Sequence, residues 1–285
     1  MKISFTKMHG IGNDYIYVNC MQEELPNPGA VSMAMSPRHF AVGADGLVMI
    51  CASTAADAKM RMFNADGSEG KMCGNAIRCV GKYLYDNGIV KKEQLSIETL
   101  SGIKYLKLNV ENGKVQSVEV DMGKASLSCQ AIPVIYHDDR MINVPVEVKG
   151  KNYHLTAVSM GNPHAVTFLD EIDSLDLEKM GPDFENHFIF PDRVNTEFVR
   201  VIDERTLQMR VWERGSGETF ACGTGACATV VAAVMNGICK VNEPITVRLR
   251  GGELKIVCDD KLRVFMTGRA QKVYEGVYEY EDQDQ

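Results

Sequence analysis

The chain has 285 residues and a formal net charge of −7 at pH 7, with 45% hydrophobic and 24% charged residues. Nucleic-acid binding needs a basic surface, so this charge balance argues against a nucleic-acid partner. No apolar run approaches the roughly 20 residues of a membrane span, and the start of the sequence lacks the apolar region of a signal peptide. The length predicts about two domains, and nine cysteines without an export signal predict reduced thiols in the cytoplasm.

Short segments that alternate polar and apolar residues predict strands through most of the chain. In chain order they are Ser4–Met8, Tyr15–Val18, Lys59–Phe63, Lys104–Leu108, Ser117–Val120, Ala165–Phe168, Glu197–Val201, Thr246–Leu249 and Arg263–Met266. Turn-forming residues at 111–114 and 259–261 predict hairpins. A further strand after residue 268 has no counterpart at the end of the first half, and we expect it to return to the first domain.

Two segments, residues 74–86 and 223–235, carry apolar residues at helical spacing. Both close on Asn-Gly, which is typical of a helix C-terminus. Because both look apolar on nearly every side, they predict two central helices, each buried within a sheet. The expected fold class is therefore α/β, of the α+β type, with mainly antiparallel sheets curled around central helices.

The two predicted helices belong to an internal repeat with an offset of 149 residues. Met60–Phe63 aligns with Met209–Trp212, and Cys73 aligns with Cys222. Across residues 60–89 the repeat keeps eight identities in thirty positions, where average composition gives about two. We therefore predict two pseudo-symmetric domains, residues 1–124 with 268–285 and residues 125–267. Their half-sites would face each other across a pseudo-twofold axis.

The repeated cysteines are the first candidates for chemistry. Cys73 and Cys222 fall at the N-termini of the predicted helices, where unpaired N–H groups and the helix dipole favour negative charge. Such a setting can lower a thiol pKa from about 8.5 into the range of about 3.5–7.5. Gly74 and Gly223 follow them and allow a ligand to approach the backbone. Two matched thiols on either side of one small molecule would form a two-base acid–base pair.

Other polar residues near the cysteines are candidates for substrate contacts. The loops before the helices, Asn64–Ser68 and Glu213–Gly217, could present polar groups to a carboxylate or an amine, and Arg214 is a cationic clamp for a carboxylate. His164 is equally compatible with a site and with a turn. The remaining cysteines lack a counterpart in the repeat, have no zinc-site spacing, and are interpreted as small buried hydrophobic residues. They are Cys20, Cys51, Cys79, Cys129, Cys227, Cys239 and Cys258.

A glycine-rich segment offers an alternative function. Gly223–Ala228 fits the pattern G-x-G-x-x-A, and Glu243 follows at the distance expected of a dinucleotide fingerprint. That fingerprint requires a strand running straight into the first glycine, whereas the preceding residues 215–219 look like a loop. The sequence therefore argues against nucleotide binding, and no cofactor or metal is expected.

Several segments, taken together, resemble a known family. They are Lys7–Tyr15, Phe63–Ser68, Met72–Cys79, Met160–His164, Val194–Glu197, Glu213–Thr219 and Ala221–Gly225. In this order they resemble the diaminopimelate epimerases, and the likeness covers the whole chain. The chain departs from the family pattern at Gly46, where many members carry glutamine.

The resemblance implies two similar α/β domains with the active site in the cleft between them. It implies a cofactor-free enzyme that interconverts L,L- and meso-diaminopimelate in lysine and cell-wall biosynthesis, with Cys73 and Cys222 as the acid–base pair, and it suggests a homodimer. The implied substrate-binding residues are Asn13, Asn64, Gly74, Asn75, Asn162, Asn195, Glu213, Arg214, Gly223 and Thr224. His164 and Glu213 would modulate the pKa values of the thiols.

Two rival functions remain open from the sequence. A proline or hydroxyproline racemase would also use paired cysteines, but the asparagines and the Glu213-Arg214 step favour a longer substrate with two zwitterionic ends. A thiol–disulfide redox protein would use the same cysteines. It would lack the Cys-x-x-Cys spacing and would leave Asn13 and Asn162 without a role.

Overall fold

The structure, a computed structural model, describes residues 1–281. The chain forms two compact units. The first unit contains Met1–Val120 and the chain from Gly268 onward, and the second contains Asp121–Thr267. Each unit has two helices and a sheet that is mostly antiparallel. The predicted mixed α/β fold with two repeated domains is confirmed.

The elements alternate in the same way in both units. In the first unit they are β1 (Lys2–Gly10), β2 (Asn13–Cys20), α1 (Pro28–Met35), β3 (Gly46–Cys51), β4 (Ala58–Asn64), β5 (Glu69–Gly70), α2 (Gly74–Asp86), β6 (Gln94–Thr99), β7 (Gly102–Glu111) and β8 (Lys114–Lys124). Next come β9 (Val144–Val148), β10 (Lys151–Ser159), β11 (Pro163–Phe168), α3 (Leu177–Glu185), β12 (Asn195–Asp203), β13 (Thr206–Glu213), β14 (Gly217–Glu218), α4 (Gly223–Met235), β15 (Ile245–Leu249), β16 (Gly252–Cys258) and β17 (Arg263–Arg269). The last strand is β18 (Gln271–Glu279).

The two sheets have equivalent strand pairings. In the first unit the hydrogen-bonded order is β18-β1-β2-β3-β4-β6-β7-β8, and only the β2–β3 and β4–β6 pairs within this order are parallel. In the second unit the order is β9-β10-β11-β12-β13-β15-β16-β17, with the parallel pairs at the same places. The short strands β5 and β14 pair with β4 and β13. The repeat in the sequence is thus a repeat of topology.

The central helices occupy the predicted residues, but they differ in character. Helix α4 matches the prediction, because ten of its thirteen residues are buried and it packs on strands from β10 to β16 of its own sheet. Helix α2 packs on β1, β2 and β7, so the first sheet also curls around its helix. The prediction that α2 is apolar on nearly every side was wrong. Its buried face carries the charged side chain of Arg78, and its last turn, from Lys82 to Asp86, is partly exposed apart from Leu84.

Elements that the sequence did not predict also obey the repeat. Helices α1 and α3 begin at Pro28 and Leu177, again 149 residues apart. Both are short, and α3 contains Pro182 in its interior, which argues against a helix when only the sequence is considered. Strand β3 is almost wholly buried, and a strand buried on both faces has no alternation of polar and apolar residues.

An arginine–glutamate pair supports the turn before each central helix. Arg61 binds Glu69 through two hydrogen bonds of 2.8 and 3.2 Å, and Arg210 binds Glu218 through two of 2.8 and 3.0 Å. Each pair joins β4 to β5 or β13 to β14 in fork geometry, which adds directional specificity to the ionic attraction.

In the described part of the chain no helix is both long and apolar enough to cross a membrane.

Candidate active site

Cys73 and Cys222 lie at equivalent positions, directly before α2 and α4. Each has an extended backbone and occupies the N-cap position of its helix. The predicted placement at helix N-termini is therefore confirmed for both. The first turn of each helix directs backbone N–H groups toward this end, which favours the binding of an anionic group. We describe the surroundings of each cysteine as a half-site within its own unit.

The first half-site orients Cys73 through an asparagine. The Sγ of Cys73 donates to Oδ1 of Asn13 at 3.3 Å. The Nδ2 of Asn13 donates to Oδ2 of Asp45 at 2.7 Å, and the same carboxylate oxygen accepts the backbone N–H of Asp14 at 3.0 Å. Because a carboxylate is an acceptor, Asp45 turns the amide oxygen of Asn13 toward the thiol. The sequence analysis did not single out Asp45, although it lies one residue before Gly46.

The other predicted residues of this half-site are Asn64, Gly74 and Asn75. Asn75 is buried in the first turn of α2, and its Oδ1 accepts a hydrogen bond of 2.9 Å from Nη2 of Arg78. Nη1 of Arg78 donates to the carbonyl of Gly74 at 3.0 Å. Asn64 is exposed at the end of β4 and donates to Oγ of Ser68 at 2.9 Å. A buried guanidinium therefore braces the helix start that follows Cys73.

In the second half-site a chain of polar contacts leads from Cys222 into the core. Its Sγ accepts the N–H of Gly225 at 3.3 Å, so the thiol caps its own helix, and it lies 3.5 Å from Oγ1 of Thr224. That hydroxyl accepts from Nδ2 of Asn162 at 3.3 Å. The Oδ1 of Asn162 lies 3.1 Å from Nε2 of His164. The structure thus brings four of the predicted site residues together.

The chain ends at a carboxylate that the sequence analysis did not identify as a site residue. Nδ1 of His164 lies 2.7 Å from Oε1 of Glu197, and both side chains are fully buried. Within residues 1–281, Oε2 of Glu197 is buried without a hydrogen-bond partner. A buried polar group is costly unless it is hydrogen-bonded, and the imidazole of His164 supplies a partner for the carboxyl group of Glu197. Glu197 was predicted as the first residue of an ordinary strand, where alternation alone cannot reveal its partner.

The electrostatics of Cys222 differ from the prediction. We expected the helix N-terminus to lower the thiol pKa. Instead burial, reinforced by the nearby carboxylates of Glu213 and Glu197, raises the pKa of Cys222 well above its usual value. Hydrogen bonds from Thr224 and the Gly225 amide act in the opposite direction but do not prevail. Near neutral pH this environment keeps Cys222 as a neutral thiol, ready to donate a proton.

Asn195 and Arg214 form a second cluster in the same unit. Asn195 is buried, its Nδ2 donates to the carbonyl of Pro163 at 2.8 Å, and its Oδ1 accepts the backbone N–H of Arg214 at 2.9 Å. The side chain of Arg214 is exposed and donates to the carbonyl of Asp192 at 2.7 Å. Glu213 accepts from the hydroxyl of Thr219. Asn195 therefore fixes the loop that presents the guanidinium.

The position equivalent to Asn195 in the first unit has no room for a side chain. A Cβ atom on Gly46 would lie 2.0 Å from the carbonyl oxygen of Phe63. The present backbone therefore accepts only glycine, and the departure from the family pattern is built into the pairing of β3 with β4. Any side-chain contact that Asn195 makes has no counterpart at Gly46.

The sequence led us to expect neither a dinucleotide site nor a metal site, and both expectations can be compared with the described residues. Strand β14 ends at Glu218, and residues 219–222 separate it from Gly223, so the strand-to-glycine junction of a dinucleotide fingerprint does not form here. Within residues 1–281, no three His, Cys, Asp or Glu side chains cluster in a way that could hold a metal ion.

The fold places the chain in a known structural class. A hydroxyproline epimerase from Agrobacterium vitis, solved with trans-4-hydroxy-L-proline, superposes with a TM-score of 0.73 at 13% identity, covering 99% of this chain and 94% of that one. A PhzF-family phenazine biosynthesis protein from Bacillus anthracis gives a TM-score of 0.72 at 16% identity, covering 98% of this chain and 100% of that one. These likenesses define the fold, which is that of the proline racemase and PhzF proteins.

Sequence comparison identifies the family within that class. The sequence model of the diaminopimelate epimerase family matches residues 5–128 and 156–273. A diaminopimelate epimerase from Acetivibrio thermocellus is 55% identical over 273 residues, which cover 95% of this chain and 97% of the relative. The chain belongs to the diaminopimelate epimerase family and is an isomerase.

Proposed function

We propose that the protein interconverts L,L- and meso-diaminopimelate by moving the α-proton between two cysteines. The observation that carries the proposal is the equivalent placement of Cys73 and Cys222 at the N-caps of α2 and α4. Inversion at a carbon requires a proton to leave one face and another to arrive at the opposite face. We infer that the two thiols act on one substrate carbon, one as base and the other as acid.

The second half-site supports a distinct role for its thiol. Because the pKa of Cys222 is raised, this cysteine starts as the proton donor, and Cys73 is left to act as the base in that direction. In the reverse direction the roles exchange, so Cys73 donates the proton and Cys222 accepts it. Glu213 and Glu197 strengthen the acid form of Cys222, and His164 holds Glu197 in place.

The helix N-termini support the stabilisation of the carbanion. When the α-proton leaves, negative charge develops on the adjacent carboxylate. The backbone amides of Gly74-Asn75 and Gly223-Thr224 lie in the first turns of the two helices, where N–H groups lack helical partners. Donors that are already aimed at a developing oxyanion lower the barrier without reorganising during the reaction. In this scheme no prosthetic group takes part.

The other predicted polar residues would bind the part of the substrate away from the reacting carbon. Diaminopimelate carries a second amino-acid group at its far end, so it needs a second set of polar contacts. Arg214 presents an exposed guanidinium suited to a carboxylate, and Asn195 fixes its loop. Asn13, Asn64 and Asn162 add amide groups that donate and accept hydrogen bonds.

The family relationship favours this substrate over the rivals. The hydroxyproline epimerase from Agrobacterium vitis shares the fold at 13% identity, whereas the epimerase from Acetivibrio thermocellus shares 55% of its residues with this chain. A thiol–disulfide redox function would give no role to the ordered contacts of Asn13 and Asn162. A part in lysine and cell-wall biosynthesis follows from the proposed reaction. The cytoplasmic location and the homodimer stay predictions.

The test is incubation of the reduced protein with L,L-diaminopimelate in deuterium oxide without any added cofactor. Nuclear magnetic resonance should show conversion to the meso form, with deuterium at the inverted α-carbon. L-Proline and trans-4-hydroxy-L-proline, incubated in parallel, should keep their α-protons. Folded protein that leaves diaminopimelate unchanged, or that exchanges the prolines instead, would overturn the proposal.

A further inference from the structure

A second pair of cysteines lies in the first unit, apart from Cys73 and its contacts. Cys20 is the last residue of β2 and Cys51 is the last residue of β3. These strands run parallel, and Cys20 and Cys51 are direct partners in their register. Neighbouring strands lie about 4.8 Å apart, and residues in register point to the same face. The Cα atoms are therefore within the separation of about 4.4–6.8 Å that a disulfide spans.

The two side chains occupy one edge of the same hydrophobic cluster. Cys20 is buried in that cluster, and Cys51 packs against it while remaining partly exposed. Partial exposure contradicts the prediction that Cys51 is a buried hydrophobic residue. A small solute can therefore reach the thiol of Cys51, whereas the thiol of Cys20 is buried in the core.

The two thiols contact each other, and their surroundings shift their pKa values in opposite directions. A hydrogen bond between the two sulfur groups favours the charged form of Cys51, and this bond, with the nearby cations of Arg61 and Lys59, lowers the pKa of Cys51. The same bond and burial raise the pKa of Cys20. The burial of Cys51 and the nearby Glu24 oppose ionisation of Cys51 but do not prevail, and Glu24 also contributes to the raised pKa of Cys20. Cys51 is thus the nucleophilic partner, because the thiolate is the reactive form of cysteine.

We propose that Cys20 and Cys51 form an oxidisable dithiol that reacts with peroxides and closes to a disulfide between β2 and β3. The proposal does not depend on the reaction at Cys73 and Cys222. It assigns a modification site to the ends of β2 and β3, where neither cysteine takes part in the proposed epimerisation.

The reaction proceeds in two balanced steps with hydrogen peroxide as the oxidant. The thiolate of Cys51 attacks one peroxide oxygen, the O–O bond breaks, and the products are Cys51 sulfenic acid and hydroxide. The thiol sulfur of Cys20 then attacks the sulfenic sulfur, an S–S bond forms, and water leaves with the thiol proton. Two thiols lose two electrons, and one peroxide gains them to yield two molecules of water.

Peptide mapping tests this directly, since trypsin separates the two cysteines. Cleavage after Lys7, Arg38 and Lys59 places Cys20 in peptide 8–38 and Cys51 in peptide 39–59, each with one cysteine. After mild treatment of the full-length protein with hydrogen peroxide, mass spectrometry should find these peptides linked, and dithiothreitol should release them. If most of Cys51 is oxidised while the two peptides remain unlinked, the proposal is wrong.

Two variants and an internal reference sharpen the result. Cys20→Ser should leave Cys51 as a sulfenic acid that dimedone traps, and Cys51→Ser should leave Cys20 reduced. Cys239 serves as the reference, because it is at least as buried as Cys20 and its pKa is raised to about 11; it should stay reduced. Equal oxidation of Cys239 and Cys51 would overturn the assignment. Both serine variants should retain epimerase activity, so this test and the test of the proposed function can fail separately.

Discussion

The two half-sites share a backbone framework but differ in the charges around the cysteine. In the first unit, Arg78 places a buried guanidinium in the helix that Cys73 begins. In the second unit, the position offset by 149 residues is Cys227, and the acidic side chains near Cys222 are the buried Glu197 and the half-buried Glu213. Duplication therefore preserved the helix, the turn and the thiol, while side-chain replacement gave the two thiols different environments.

The matched asparagines show the same divergence. Asn13 directs its amide oxygen toward the thiol of Cys73, because Asp45 holds its nitrogen. Asn162 directs its oxygen toward His164 and its nitrogen toward Thr224. An enzyme that moves a proton in one direction at a time needs one donor and one acceptor. Two half-sites of equal basicity would hold a single proton equally often, so neither thiol would be the preferred donor at the outset.

Removing either thiol should give the largest effect. Cys73→Ala and Cys222→Ala should each lower kcat for epimerisation by roughly 10³-fold or more, because each removes a group that transfers a proton in the transition state. The comparison variant is Cys258→Ala, which removes a buried thiol from β16. It should cost stability through packing while keeping kcat within about twofold. A folded Cys258→Ala protein as inactive as the other two would show that the reactive pair is misassigned.

The arginine–glutamate pairs should differ in their contribution to stability. Glu218 is 9% exposed and contacts both Arg210 and Arg250, whereas Glu69 is 29% exposed and its partner Arg61 is 33% exposed. We expect Glu218→Gln to lower the free energy of unfolding by about 3 kcal/mol, since it removes the carboxylate partner of Arg210, whose side chain is only 14% exposed. Glu69→Gln should cost about 1 kcal/mol or less. Denaturant unfolding measures both, and equal costs would contradict the difference in burial.

Removing the buried carboxyl group of Glu197 should shift the alkaline limit of activity to a lower pH. Deprotonation of Cys222 ends its action as an acid, so activity in that direction is lost as pH rises through its pKa. Glu197 helps to raise this pKa, so Glu197→Gln should lower it and bring the alkaline loss of kcat to a lower pH. We expect kcat at neutral pH to fall about tenfold. Asp57→Asn, a change at a carboxylate that binds Ser96 in the first unit, serves as the control.

An unchanged alkaline limb in folded Glu197→Gln protein would show that Glu197 does not act on Cys222. A uniform loss of activity at every pH would indicate a structural role for its contact with His164. The pH profile therefore separates electrostatic tuning from support of the fold. The same profile measured for Asp57→Asn should overlie that of the unmodified protein.

The smallest effect is expected at Asp45. Asp45→Ala should release the amide of Asn13, which then no longer presents its oxygen to Cys73 in one orientation. Asp45 acts on the thiol only by orienting Asn13, and a typical hydrogen bond contributes about 0.5–1.5 kcal/mol net, so kcat/KM should fall by about tenfold or less. Steady-state kinetics with both stereoisomers provides the measurement. A loss as large as that of Cys73→Ala would mean that Asp45 itself takes part in proton transfer.

The sequence predicted most of what depends on repetition and short-range pattern. The offset of 149 residues located both helices to the residue, because the same Asn-Gly step follows each one and a cysteine precedes it. Alternation located strands such as β8 and β17, which are exposed on one face. Strand β3 was missed because it is buried on both faces, and α1 and α3 were missed because they are short.

The charges of the site could not be predicted because they depend on contacts between distant segments. Glu197 and His164 are separated by 33 positions, yet their side chains are fully buried and hydrogen-bonded to each other. The raised pKa of Cys222 arises first from the burial of its own thiol and then from Glu213 and Glu197, whereas sequence reasoning could apply only the general effect of a helix N-terminus. The polarity of Arg78 was visible in the sequence, but its burial against Asn75 was not.

The central claim is that Cys73 and Cys222 serve opposite faces of one carbon. Its most direct test is α-proton exchange in deuterium oxide by the single alanine variants, each incubated separately with L,L- and with meso-diaminopimelate under reducing conditions. We predict that Cys73→Ala and Cys222→Ala exchange the α-proton at centres of opposite configuration, each through the cysteine that remains. Exchange at the same configuration by both folded variants would contradict the two-thiol account.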